Sequence, residues 1–521
     1  MPDVRILPVT APDRPIYAIT RDLLADASAA VRMLRAQAEE LPLFERGGML
    51  VEVAHTGQIV PLAPDRIRDV LARAAIWVRL RGGDGEEPAA VPTYPPRDVA
   101  STLAARTAWG LPELAGVVSH PWIRCEGAEA GEVVSLPGYD PTSRTYGTWD
   151  STLGREAGSV ADGMTPEQAA AELEDLIADF RFASTADRAS ALAGWLTAAA
   201  RPGIAGDVPL WLVEASTPGS GKGTLCDLVL RSVYPTATRR TPWVSDDAEL
   251  SKALLALALA GEERILWDNV DGIFGGPALD AAITSAATGY RGRMLGQSRI
   301  VSAPLRPFWV ANGNNVQIKG DIHRRILVTR LDPGTDRPED RTDYRYPGRL
   351  LEVAAARRAR TLGACLRLLR LGLANPGPMG GGFPVWSAVV RGALVAVGYP
   401  DPWSAGSDLR ELARASSLVD VLEAWDRIWG ASAVRARDLA EAVTDPPAQT
   451  SAGDAYSTLA DLLLEVAADS RVRGRLSTRR LGQWLARVRD RVVATPGGHR
   501  LVLRRLPRSG AGVRWNVERL P

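Results

Sequence analysis

Hydrophobic and polar positions alternate with three different rhythms along the chain. Leu24, Ala27, Val31 and Leu34 recur at helical spacing, and Met49 to Val53 and residues 59–62 follow as two strand-like runs with a turn at Thr56-Gly57. That spacing predicts a mixed α+β segment. Residues 82–88, running on to Pro95-Pro96, form a loop by composition within it. The pattern weakens over 154–163. Thr165-Pro166-Glu167-Gln168 then supplies an N-cap, a first-turn proline and a capping-box glutamine, ahead of a helix with Leu173, Leu176, Ile177 and Phe180 on one stripe.

The rhythm changes at Leu210. Short apolar runs at 210–213, 265–267, 308–310 and 326–328 alternate with helical stretches, the pattern of a parallel sheet covered by helices. After Pro333 the chain turns helical in an Arg-rich background, with Leu350, Leu351, Leu366, Leu368 and Leu369, and breaks at Asn375-Pro376-Gly377. A loop at 398–402 precedes a last region the size of a small domain. The expected division is an α+β domain over 1–160, an α/β core over 161–345, a helical lid or linker over 346–404, and a final domain over 405–521.

Length and composition agree with several domains. At 521 residues the chain exceeds the roughly 250 to 300 at which single cores stop growing. With 46% hydrophobic and 24% charged residues it is globular, neither disordered nor fibrous. A net charge of +1 excludes a uniformly basic nucleic-acid coat, so any contact with a polyanion must come from local patches. Cys125, Cys226 and Cys365 are far apart, without metal-ligand spacing, and odd in number, which fits a reducing cytoplasm. No apolar run approaches the roughly 18 residues of a membrane span, and the N-terminus lacks a signal-peptide pattern, so a cytoplasmic protein without a membrane partner is expected.

The strongest chemical signal is the run from Leu210 to Leu225, in which an apolar strand leads into Ser216-Thr217-Pro218-Gly219-Ser220-Gly221-Lys222-Gly223-Thr224-Leu225 and a helix start. A phosphate-binding loop requires that context. Gly219 and Gly221 let backbone N–H groups turn toward phosphate oxygens, and the helix N-terminus adds its positive end. Lys222 would reach the β- and γ-phosphates of ATP. Lysine occurs elsewhere only at 252 and 319, which makes its presence here less of a coincidence. Two positions depart from the usual loop. Ser216 stands where the first glycine usually is, and Gly223 where the Mg²⁺-binding hydroxyl usually is, leaving Thr224 as the candidate metal ligand.

Downstream, Arg264-Ile265-Leu266-Trp267-Asp268-Asn269 is an apolar strand ending in an acid, and Asp268 would hold Mg²⁺. The next position, where many motor ATPases carry a water-orienting acid, is Asn269, and Asp271 is a substitute. Pro307-Phe308-Trp309-Val310-Ala311-Asn312 ends in an amide that can sense a γ-phosphate, though Asn312-Gly313-Asn314-Asn315 also reads as a turn. His323-Arg324-Arg325 places two guanidiniums before the last strand, where an arginine can act in a neighbouring subunit's site.

The ordered set GSGKGT, ILWDN, FWVANGNN and HRRILV resembles the AAA+ helicase half of phage and mobile-element primase-helicases, close to the superfamily 3 helicases. Arg293-Met294-Leu295-Gly296, Pro338-Glu339-Asp340-Arg341 and Pro137-Gly138-Tyr139-Asp140-Pro141 add to the resemblance, which runs from about Leu41 and is most specific over 210–330. It implies an ATP- and Mg²⁺-dependent ring, a hexamer, that moves along DNA. No primase signature is visible, so a separate primase would be a partner.

The resemblance also implies a hairpin over 290–301 projecting into the ring channel, with Arg291, Arg293 and Arg299 on the DNA backbone. Near the end, Leu481, Trp484, Leu485 and Val488 share a face while Arg479, Arg480 and Arg487 take the other, and strands at 500–506 and 513–517 flank Arg508-Ser509-Gly510. Helices followed by such a wing predict a winged-helix DNA-binding domain. From Arg471 to Arg514 only Asp490 interrupts the arginines, which is a local basic patch. Two other functions fit the same motifs. One is an ATP-dependent DNA-binding switch, such as an initiator, loader or defence factor, which Asn269 favours. The other is a nucleotide kinase, whose loop GSGKGT also resembles.

Overall fold

The computed structural model describes the chain outside residues 1–13, 21, 39–40, 82–88, 216, 218, 294–299, 315, 336–337, 380–381, 445–452, 468–474, 491, 496–498, 507–512 and 521. It is a mixed α/β structure built on a five-stranded parallel sheet, and it divides into two compact units. The first takes in everything to Asp271, residues 278–315 and 326–405, and the second takes in 272–277, 316–325 and 406–521.

The sheet strands are β1 (Leu210–Ala215), β2 (Arg240–Thr241), β3 (Arg264–Val270), β4 (Phe308–Asn314) and β5 (Ile326–Leu331), in the order β2-β3-β4-β1-β5. Four of the five match the apolar runs of the sequence. The edge strand β2 escapes pattern reading because two residues carry no periodicity. The strands are apolar on both sides because helices cover both faces, and β1 is buried at every position but Glu214. Inside, Trp267 stacks on Trp309 with ring centres 5.7 Å apart, and Trp211 on Phe308 at 6.2 Å. The helix Thr185–Ala200 lies against the sheet so closely that a Cβ on Gly194 would stand 2.7 Å from the Trp211 ring.

The N-terminal segment has the predicted mixed character. Helix Leu23–Gln37 buries Ala27, Val31 and Leu34, and Leu43–Arg46, Met49–Val53 and Ile59–Pro61 form an antiparallel meander that turns at Gly57 with φ of 80°. Leu24 differs from the expected stripe and is 70% exposed. The inward place in that first turn goes to Asp26, whose carboxylate accepts from Tyr17 Oη, Thr20 N and Thr20 Oγ1. Helix Pro166–Ile177 begins with the expected reciprocal capping box of Thr165 and Gln168.

The weak stretch at 154–163 is a helix, Ser151–Gly163, capped by Asp150. Its inner face is made of Gly154, Ala157 and Ala161, which let the helix Arg358–Ala374 come close enough that a Cβ on Gly363 would meet Val160 at 2.5 Å. Small residues bring backbones together without a large apolar stripe, so the hydrophobic pattern misses the helix.

The second unit holds the helix Ser407–Trp429, the helices Ala436–Thr444, Gly453–Ala467 and Thr478–Val488, and a sheet in the order Val434–Arg435, Arg514–Leu520, Arg500–Arg505, Val492–Ala494. The expected hairpin is its centre, with Arg505 opposite Trp515. Leu481, Leu485 and Val488 face the core of this unit with Trp425 and Trp515. Among the described residues no helix is long and apolar enough to cross a membrane.

Candidate functional site

Parallel sheets with crossing helices bind ligands beyond the carboxyl ends of their strands, and the candidate residues collect there. After β1 the chain turns tightly and enters the helix Lys222–Val233. Gly219 and Gly221 take φ of 75° and 88°, the left-handed region that admits glycine without strain. The Ser220 hydroxyl donates to the Thr217 carbonyl and pins the turn. Ser216 and Pro218 lie outside the described residues.

Lys222 sits on the first helical turn, 8% exposed, and its ammonium donates a 2.5 Å hydrogen bond to Asn314 Oδ1. Burial holds its pKa below the ordinary lysine value, with Cys226 and Glu214 pulling it partway back. Asn314 ends β4, the strand between β1 and β3.

Two residues earlier on β4, and therefore on the same face, lies Asn312, 4% exposed. Its Nδ2 donates to Asp268 Oδ1 at 2.8 Å, and its Oδ1 accepts from the Asn269 backbone N–H at 3.0 Å. Lys222 and Asp268 are thus each fastened to one of two same-face amides that strand geometry spaces roughly 6.6 Å apart. The sequence offered Asn312 as a phosphate sensor. The structure gives it the bracing of Asp268 and puts Asn314, read there as part of a turn, against the lysine.

Asn269 has φ of 54° at a bulge in β3, between Trp267 and Val270. Asparagine tolerates this left-handed conformation better than most residues, which gives a backbone reason for its place beside Asp268. Asn269 and Asp271 are both exposed.

The same oxygen of Asp268 also meets Arg240 on the edge strand β2, with Nη1 2.7 Å from Oδ1. The same guanidinium donates through Nη2 to Asp227 Oδ2 at 2.7 Å. Burial works against the Arg240 charge, but the bonds and charges of Asp268 and Asp227 outweigh it and raise its pKa. Burial raises the Asp227 pKa, against the pull of Arg240. Asp227 lies one helical turn beyond Gly223, on the same helix face. At Gly223 itself an added Cβ would meet nothing within 4 Å. Sequence reasoning missed Asp227 and Arg240; the i,i+4 offset from Gly223 is the signal that could have found the acid. Two carboxylates converging on one cation form a hard-oxygen donor set, which fits a divalent ion such as Mg²⁺.

Thr224 is exposed and, with Gly219, Ser220 and Gly221, lines a cleft of about 740 Å³ whose other walls include Phe180, Tyr344 and Tyr346. Neither Asp268 nor Lys222 lines it. Leu225 is buried beneath the turn and donates from its N–H to the Gly221 carbonyl. Arg324 and Arg325 belong to the second unit, where both pair with Asp321. Arg291 and Arg293 are exposed on the strand Tyr290–Arg293, which pairs antiparallel with Ile300–Ala303 as the expected hairpin. Arg479 and Arg480 are exposed on the helix Thr478–Val488. Arg299 and the side chain of Arg487 lie outside the described residues.

No family model and no curated protein matches the chain. Among solved structures it is similar to the apo C-terminal region of NrS-1. One such structure has a TM-score of 0.33 and 10% identity over 94% of this chain and 99% of that one. Another has a TM-score of 0.29 and 11% identity over 88% and 99%. Likenesses this slight carry no assignment, and the reading of the site rests on its own geometry.

Proposed function

We propose that this chain is a P-loop ATPase of the AAA+ type that uses ATP to move along DNA in the replication of a phage or mobile element. The observation that carries the reading is the pair of same-face amides on β4, which fix Lys222 and Asp268 side by side at the carboxyl edge of the sheet under a glycine turn. A phosphate-binding lysine and a metal-binding acid need that proximity and little else in common.

In this reading the N–H groups of 219–224 and the Lys222 ammonium hold the phosphates, and the adjoining cleft, with Phe180, Tyr344 and Tyr346, takes the nucleoside. Asp268 and Asp227 would hold Mg²⁺, which would supply charge neutralisation for the phosphates. Arg240 then gives up one or both carboxylates. Asn314 exchanges Lys222 for the nucleotide and stays within reach of the terminal phosphate. Arg324 and Arg325 serve a neighbouring subunit of a hexamer, an arrangement that is worth orders of magnitude in rate where it occurs.

The DNA assignment is supported by exposed Arg291 and Arg293 on a hairpin, and by a second unit in which helices lead into an antiparallel wing beside exposed Arg479 and Arg480. These are features of a winged-helix module, and phosphate contacts of this kind bind without reading sequence.

A second reading, an ATP-dependent DNA-binding switch, is favoured by Asn269, which cannot take a proton from the attacking water. A forked-duplex displacement assay separates the two. Unwinding that Lys222→Ala abolishes supports the motor. ATP hydrolysis without displacement supports the switch, and absence of ATP binding refutes both.

A further inference from the structure

At the opposite edge of the sheet, where the strands begin, three arginines meet around a cavity of about 40 Å³. Arg201 precedes β1, Arg306 precedes β4, and Arg46 comes from the N-terminal meander, all within the first compact unit. The six residues of β1 place this cavity roughly 20 Å from the phosphate loop.

Arg46 is 2% exposed and Arg201 4%. Their hydrogen bonds go to backbone carbonyls. Arg46 donates to those of Leu114, Ala115, Ala258 and Pro304, and Arg201 to those of Ile204, Gly206 and Pro307. Arg306 Nη2 shares the Ile204 oxygen, 2.7 Å away, with Arg201 Nη1 at 2.6 Å, so two guanidiniums converge on one neutral acceptor.

Among the described residues no carboxylate is hydrogen-bonded or ion-paired to any of the three. Two acids belong to the cavity wall, and neither bonds the three arginines: Glu263 is engaged by Ser119 and Arg264, and Glu262 is its chain neighbour. Asp207 and Glu126 act on Arg201 only through longer-range attraction. Burial lowers the pKa of Arg46 to about 10, and burial together with Arg306 lowers that of Arg201 to about 9. The Nε of Arg46 is buried with no hydrogen-bond partner at all.

A buried charge is tolerated when an opposite charge accompanies it, and carbonyl dipoles do not supply one. Structural arginines that only tie carbonyls together would account for the bonds, but not for the gathering of three of them around a void. A water needs roughly 10–15 Å³ of such free space, so the cavity has room for about three waters or one tetrahedral oxyanion.

We propose that this cavity binds a small oxyanion of the phosphate class, held by Arg46, Arg201 and Arg306, and that the bound anion ties the N-terminal segment to the base of the sheet. A nucleoside does not fit; the ligand is the free ion.

The test is isothermal titration of the Lys222→Ala protein, whose phosphate loop is weakened, with inorganic phosphate at constant ionic strength. Saturable one-to-one binding is expected, with a melting temperature that climbs with phosphate but not with chloride. Arg306→Gln should weaken the affinity at least tenfold. Should that variant not fold, Gly116→Leu is the second: Gly116 lines the cavity, and a Cβ there meets nothing within 4 Å. It should block binding with every arginine in place. Binding that is absent, that ADP competes away, or that the folded variants leave unchanged overturns the proposal.

Discussion

The ammonium of Lys222 donates to the Asn314 side-chain oxygen at 2.5 Å, so the cation that would meet a triphosphate is already engaged within the protein. Nucleotide must replace that bond. Hydrogen bonds to charged groups contribute about 1.5 to 3 kcal/mol, so Lys222→Ala should weaken ATP binding by about ten- to a hundredfold. Asn314→Ala removes the competitor together with its own contact to the nucleotide, so it should leave affinity about unchanged while slowing hydrolysis. Titration with a fluorescent ATP analogue and a phosphate-release assay check both.

The same lysine sets a pH dependence. Its pKa lies below the ordinary 10.5, so ATP affinity should be full below the lowered value and fall on the alkaline side before a solvated lysine would titrate. For stability the sign is reversed. Between the lowered folded value and the ordinary unfolded one, the unfolded chain binds more protons, and the cost of burying Lys222 is relieved as pH rises. Binding isotherms and denaturant melts across the alkaline range report the two effects separately.

Gly223 leaves room for a side chain one turn before Asp227. Gly223→Ser should fold, gain about 0.5 kcal/mol from helix propensity, and tighten the Mg²⁺ dependence of ATP binding. Asp227→Asn should loosen that dependence, and the double variant should recover it. Calorimetry of ATP binding with and without Mg²⁺ reads this independently of turnover. An Asp227→Asn protein with unaltered Mg²⁺ dependence would remove Asp227 from the metal site.

Asn312 braces Asp268 and caps the Asn269 N–H. Asn312→Ala leaves the Asn269 N–H without its partner and Asp268 with Arg240 alone, and should cost about 1 to 3 kcal/mol of stability. As a positioning residue it should lower the hydrolysis rate more than the affinity for ATP without Mg²⁺. Equal losses in both would mean that it acts only on the fold.

Two glycines of one helix should behave oppositely. A Cβ at Gly154 would stand 1.8 Å from the Ser135 carbonyl oxygen, whereas at Gly158 it meets nothing within 4 Å. Gly154→Ala should destabilise by about 3 kcal/mol through overpacking, and Gly158→Ala should stabilise by about 0.5 to 1 kcal/mol through helix propensity. Urea denaturation of the two variants checks both signs.

The sequence by itself determined the local features. Four strands announced themselves by apolar runs, the helix after Thr165 by its capping box, the glycine turn by Gly219 and Gly221, and the C-terminal hairpin by its alternation. Each depends on residues near one another in the chain, whose propensities need no partner. Tertiary structure decided what depends on approach across the fold. The helix 151–163 packs through small residues that leave no apolar stripe. Arg240 and Asp227 meet Asp268 only because β2 pairs with β3 beside the phosphate-loop helix. Lys222 meets Asn314, and Asp268 meets Asn312, because β4 is inserted between strands that precede it in sequence. Strand order is set by how the whole sheet buries its two faces, and no local window of the chain contains that information.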